Sequence, residues 1–386
     1  MQKILCAAAC AASMIGPALA QDLKIGVVVP LSGPPAVLGK QVEDAFRLAV
    51  EDMNGEVGGV STEVFVVDSE LKPEVALTRV KGLLERDEVD FVVGTVFSNV
   101  LGAIVKPVTK SETFLISPNA GPSTLAGRNC NPFFFSTSYQ NNQNFEVLGK
   151  HAQDQGIKSV FMMTPNYQAG RDAVEGFKKF YEGEITNEVY TPLGHQDFSA
   201  EIAEMSEAGA EALFTFMPGG MGVRFVKQYR ESGLADKMTF LSAFTVDEAT
   251  LPAQQDAALG FFGATSWAPS LDLPRSQEFV ARFEEKYGYI PGGFAMQAYD
   301  AALLIDSAVR AVGGNLEDKD ALREALEAAD FESLRGNFAF NNNHFPIQDF
   351  YLLRVAQRED GKFWTEVESK VFEDYSDSFA QDCKMK

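Results

Sequence analysis

The chain has 386 residues, with 33 lysines and arginines against 54 aspartates and glutamates and a formal net charge of −21. So acidic a surface repels phosphate backbones and anionic lipid heads, and neither nucleic acid nor a membrane surface is expected as a partner. The length accommodates two domains, while the scattered His151, His195 and His344 and the few cysteines offer no metal-ligand spacing, so no metal and no cofactor is expected.

Met1 to Ala20, MQKILCAAACAASMIGPALA, carries Lys3, an apolar run and the small-residue ending Ala18-Leu19-Ala20. That is the layout of a cleaved secretory signal, too short for a membrane span of about 20 residues. The apolar segment before Cys10 is very short for a lipoprotein leader. The mature chain from Gln21 is then expected in the periplasm, soluble, without membrane insertion, with 32 basic against 54 acidic side chains. Cys6 and Cys10 leave with the leader. Cys130 and Cys383 remain, and an even pair in an oxidising compartment suggests one disulfide tying the tail to the body, with two free buried thiols as the alternative.

Lys24 to Pro30, KIGVVVP, is a continuous apolar strand, and after a Gly/Pro loop Val42, Ala45, Phe46, Ala49, Val50 and Met53 recur at helical spacing. The strand and helix unit repeats through STEVFVVD and VDFVVG, and TFLISP closes the run. A second series follows STSYQNNQNF, with SVFMMTP, EITNEVY and ALFTFMP each leading into a helical pattern. Such alternation implies parallel sheets wound by right-handed crossovers. The fold class is α/β, with two Rossmann-like lobes. The helical patterns GFAMQAYDAALLIDSAVRAVGG and KDALREALEAA and the strands NFAF and DFYLLRV must return to those lobes. The predicted domains are therefore discontinuous: 21–140 with 272–345, and 141–271 with 346–386.

In open α/β sheets, ligands sit beyond the carboxyl ends of the strands, where helix N-termini gather. DFVVGTVFSNV, Asp90 to Val100, brings Phe97, Ser98 and Asn99 to such a place. A helix start offers unpaired N–H groups and about half a positive charge, which suits a carboxylate or phosphate; a serine there also serves as a cap for its own helix. SPNAGPSTLAG, Ser117 to Gly127, follows the next strand with small residues that keep backbone amides open to a ligand. PGGMGVRF, Pro218 to Phe225, resembles half a dinucleotide fingerprint but lacks the third glycine and the following acid. No nucleophile elbow, Walker loop or zinc motif occurs, and no enzyme activity is expected. Phe97, Tyr139, Tyr167, Phe244 and Trp267 stand at predicted strand ends or crossovers, where aromatic walls can sandwich a flat ligand.

Together, IGVVVPLSGPPAVLG, VVGTVFSN, LISPNAGPSTLAG, NYQAGRDAVEGF, DFSAEIAEM and QAYDAALLIDSAV resemble the periplasmic solute-binding proteins of ABC importers, type I, in the cluster that binds branched-chain amino acids. The resemblance runs in order across nearly the whole mature chain. It implies two lobes joined by three crossover strands, a monomer that closes on a ligand and delivers it to a membrane permease with its ATPase. It also implies that Ser98, Asn119, Ala120 and Gly121 hold a ligand carboxylate and that Tyr167 of the second lobe contributes.

Departures from the family pattern shape the expected ligand. Phe244, in FLSAFTVDE, stands where the amino-acid binders carry a glutamate for the ligand's ammonium; Gly121 replaces a threonine and Leu38 an aromatic residue. A buried ammonium without an anionic partner costs several kcal/mol, so an α-amino acid is expected only if Asp247 or Glu248 turns inward. SPNAGPSTLAG, FFFSTSYQNNQ, RGNFAFNNNHFP and the tail cysteine resemble the branch associated with benzoate-type and phenylpropenoate-type acids. The expected ligand is thus an aromatic or other apolar monocarboxylate, with Tyr139 or Gln143 reading a ring substituent and helix ends, with Arg171 or Arg224, attracting the anion; an amino-acid or amide binder of the same family, or a sensor that presents its ligand to a membrane receptor, is the alternative.

Overall fold

The computed structural model describes residues 22–385; the leader read over 1–20 lies outside them. The first lobe takes shape from β1 (Leu23–Val29), α1 (Ala36–Asp52), β2 (Glu56–Val57), β3 (Val60–Asp68), α2 (Pro73–Glu85), β4 (Phe91–Gly94), α3 (Ser98–Lys110), β5 (Phe114–Ser117), α4 (Ser123–Ala126) and β6 (Phe134–Ser136). Its sheet runs β2-β3-β1-β4-β5-β6. All pairings are parallel except the β2–β3 hairpin. The continuous apolar runs of β1 and β4 follow from this placement, because central strands of a parallel sheet are covered on both faces.

The second lobe adds α5 (Asn141–Asp154), β7 (Ser159–Pro165), α6 (Gln168–Phe180), β8 (Glu184–Thr191), α7 (Ser199–Ala208), β9 (Ala212–Thr215), α8 (Gly220–Glu231), β10 (Thr239–Ser242), α9 (Leu251–Gln254) and β11 (Phe262–Thr265). The chain then returns to the first lobe through α10 (Pro274–Tyr287), α11 (Gly293–Ala311) and α12 (Lys319–Ala328). Tyr289 and Tyr299 fix this return by donating to Asp44 and Asp52 of α1, at 2.6 and 2.7 Å. The last strands, β12 (Ala339–Phe340), β13 (Pro346–Gln357) and β14 (Phe363–Tyr375), close the second sheet in the order β12-β13-β11-β10-β9-β7-β8, with β14 on β13. The predicted strand NFAF shrinks to Ala339–Phe340. β14, absent from the sequence reading, is an antiparallel strand whose register slips beside Phe350 and Leu352, which blurs any alternation.

The chain passes between the lobes three times, near residues 137–140, 266–273 and 341–346. Arg335 ties the first passage to the third. Its guanidinium donates to the carbonyls of Thr137 and Ser138 at 2.5 and 3.1 Å, to Gln348 Oε1 at 2.6 Å, and to Asp300 Oδ2 at 3.0 Å. Cys130 and Cys383 form a disulfide, so the tail is tied back to the loop before β6. Among the described residues, no helix is long and apolar enough to cross a membrane, and no group of three or more His, Cys, Asp or Glu is placed to hold a metal ion.

Candidate functional site

Strand order reverses between β3-β1 and β4 in the first sheet, and between β8-β7 and β9 in the second. Loops leaving opposite sides of such a switch point diverge and open a crevice. Here the two crevices face each other. Leu38 follows β1, Phe97 and Ser98 follow β4, and Asn119 and Ala120 follow β5; opposite them Tyr167 follows β7, Phe216 and Pro218 follow β9, and Phe244 follows β10. All line one cavity with Tyr139 and Asn141 of the first crossing and with Val96, Phe145, Ala169 and Phe294. The space free of protein atoms is about 370 Å³ including the mouth, the scale of a small-molecule site.

The walls are aromatic. Tyr139 and Phe244 stack with centroids 5.3 Å apart, Tyr167 and Phe216 stack at 6.1 Å, and Phe145 meets Phe216 at 5.4 Å. Phe244 reaches this place with φ +58°, a left-handed conformation that is uncommon for a bulky residue. Among the described residues, none that lines the cavity is charged.

Polar groups gather at one end. Helix α3 begins at Ser98 with no side-chain cap, so its first N–H groups lack intrahelical acceptors. Ser98 Oγ accepts from Asn141 Nδ2 at 3.2 Å, which leaves the hydroxyl proton free to donate. Tyr139 donates to Asn119 Oδ1 at 2.5 Å, and burial pushes the phenols of Tyr139 and Tyr167 up, so both remain protonated donors at neutral pH. This end offers the Ser98 hydroxyl, the Tyr167 phenol and the first α3 amides to an anion, with Asp172 behind Asn141, accepting from its Nδ2 at 2.8 Å.

Of the residues singled out in the sequence, Leu38, Phe97, Ser98, Asn119, Ala120, Tyr139, Tyr167 and Phe244 meet in the cavity, whereas Asn99 and Gly121 do not line it. The loop amides expected to face a ligand are committed elsewhere: Ala120 N donates to Thr95 O at 3.0 Å and Gly121 N to Asn141 Oδ1 at 3.0 Å. Gly121 is small for packing, since a Cβ there would stand 1.9 Å from Tyr139 O. Trp267 is buried against Ser276 behind the cavity, and Gln143 spends its side chain on Gln140 N and Tyr375 O. Arg171 binds Asn166 and Arg224 is exposed, and neither lines the cavity. The sequence reading missed Asn141, Phe145, Phe216 and Phe294; of these only Asn141 had a signal, the polar run YQNNQN after a strand.

Asp247 and Glu248 do not line the cavity. Asp247 Oδ1 accepts from the amides of Ala249 and Thr250, and Glu248 Oε1 accepts from Thr365 N and Oγ1. Burial raises Asp247 to about 6 and Glu248 to about 7. These groups favour the folded state in their protonated form, so their contribution is complete below their unfolded pKa values and is lost as pH rises through about 6 to 7. Glu248→Gln is therefore expected to flatten the fall in stability between pH 5 and 8 by roughly 2 kcal/mol. Denaturant midpoints across that range check this, and a slope equal to that of the parent protein would contradict it.

Fold and site define a two-lobed α/β binding protein with its ligand cleft between the lobes. Residues 22–362 match the family model described as periplasmic binding protein, and the chain belongs to that family. It is 31% identical to a solute-binding protein of an ABC transporter from R. palustris crystallised with benzoate, with a TM-score of 0.89 over 94% of this chain and 100% of that one. A solute-binding protein from Rhodopseudomonas palustris BisB5 in complex with 3,4-dihydroxybenzoic acid is 28% identical, with a TM-score of 0.87 over 92% and 99%. Among curated relatives, Leu/Ile/Val-binding protein homolog 6 of Brucella melitensis is 27% identical over 98% of both chains.

Proposed function

We propose that this protein is the periplasmic receptor of an ABC importer, capturing a small aromatic monocarboxylate of the benzoate or phenylpropenoate type. The observation that carries this reading is a neutral cavity walled by seven aromatic side chains that ends at the uncapped start of α3. The carboxylate would accept from Ser98 and the first α3 amides while the ring lies between Tyr139, Tyr167, Phe216 and Phe244. The lobes formed by 21–140 with 272–345 and by 141–271 with 346–386 would close about the three crossings. Closure stabilises the bound form by the ligand's differential affinity for it, and the monomer then presents the ligand unchanged to a membrane permease and its ATPase. Complexes of similar proteins with benzoate and 3,4-dihydroxybenzoic acid support the ligand class.

An α-amino acid fits less well, because among the described residues no carboxylate lines the cavity and a buried ammonium requires one. Ser98→Ala is expected to weaken benzoate binding by about 1 to 3 kcal/mol, the loss of a donor to a charged group. Titration calorimetry measures this, and an unchanged affinity would remove Ser98 as the anchor.

A further inference from the structure

Behind Phe244 and Phe294 lies a second enclosed cavity that the reading above leaves unused. Both rings line both cavities and meet at 5.9 Å and 61°, so they form the partition between them. Asp247, Glu248, Thr265, Thr365 and Gly293 line the far side of this space, which is about 370 Å³ including its mouth.

The far side is polar and unanswered. Glu248 is 4% exposed, and its Oε1 accepts from Thr365 N and Oγ1 at 2.8 and 2.7 Å. Among the described residues both of its hydrogen bonds fall on Oε1, and a Cβ on Gly292 would meet Oε2 at 3.3 Å. Asp247 Oδ2 and Thr265 Oγ1 are buried without partners. Buried polar atoms left unpaired cost free energy, and a visiting donor would recover it. Ser98 lines the first cavity and not the second, so a ring anchored there by its carboxylate reaches the second cavity only past the Phe244 and Phe294 partition.

Resting on the proposed function, we propose that this second cavity is a distal subsite that takes a hydrogen-bond-donating substituent, a hydroxyl or amino group, carried on an aromatic acid opposite its carboxylate. Asp247 and Glu248 are the acceptors, and Phe244 with Phe294 admits the substituent between their rings. A site built to bind a donor rejects the isostere that lacks one.

The test compares benzoate, 4-hydroxybenzoate and 4-methylbenzoate by calorimetry at pH 8, where both carboxyls are ionised, on the parent protein, Glu248→Gln and Thr265→Val. The parent protein is expected to favour 4-hydroxybenzoate over 4-methylbenzoate by about tenfold or more. Glu248→Gln should cut that preference at least about fivefold while benzoate affinity stays within about twofold, and Thr265→Val, which is nearly isosteric, should shift it in the same direction. Equal affinities for the two substituted acids in the parent protein overturn the subsite, as does a preference unaltered in both variants. Failure of benzoate itself to bind overturns the function reading and the subsite with it, a separate result from a lost preference.

Discussion

Phe244→Ala is expected to weaken benzoate binding by about 3 kcal/mol, more than a hundredfold, the scale of truncating a packed aromatic side chain. Phe244 touches the wall on every side: Tyr139 at 5.3 Å, Phe294 at 5.9 Å, Phe216 at 6.1 Å and Phe145 at 6.3 Å. Its removal leaves the ring of a bound acid without a partner and joins the two cavities. Alanine at φ +58° meets the same Cβ conflict as phenylalanine, so the loop gains no relief that would offset the loss. Calorimetry reads the affinity, and an unchanged thermal midpoint shows that the lobe still folds. Affinity equal to that of the parent protein would mean that the ring is interlobe packing only.

Arg335→Ala is expected to destabilise the protein by about 3 to 5 kcal/mol, the cost of leaving one member of a buried ion pair without its partner. Arg335 and Asp300 are 1% and 0% exposed. Asp300 also accepts from Ser333 Oγ and Leu334 N, but these neutral donors do not replace a guanidinium. The substitution further strips donors from the carbonyls of Thr137 and Ser138 in the first crossing and from Gln348 in β13, just past the third. Denaturant unfolding measures the loss, and Arg335→Met combined with Asp300→Leu should recover only the part due to the unpaired charge, because the Thr137 and Ser138 carbonyls lose the guanidinium and Ser333 Oγ and Leu334 N lose their acceptor. A loss below about 1 kcal/mol in the single variant would contradict the role of this pair in holding the crossings.

The parts of this molecule legible in the sequence are those set by local pattern. KIGVVVP and DFVVG read as strands because central parallel strands are apolar on both faces, and Ser98 read as a helix start because α3 begins there. Phe244 drew attention because it departs from a family pattern. Its neighbours Phe145, Phe216 and Phe294 did not, since in a chain with 31 phenylalanines an aromatic residue in a core-like run carries no mark of which space it faces. Gly121 shows the converse. It read as an open amide for a ligand, yet the close approach of Tyr139 O explains its lack of a side chain and Asn141 takes its N–H. Asp247 and Glu248 are adjacent in sequence, and only the path of the loop decides that both turn behind the partition rather than into the cleft.

The most direct test of the central claim is titration calorimetry of purified protein, freed of bound ligand by unfolding and refolding, with benzoate and with leucine. Saturable one-to-one binding of benzoate with no heat from leucine is the predicted result. Saturable binding of leucine with none of benzoate would contradict the assignment of the cleft to aromatic monocarboxylates.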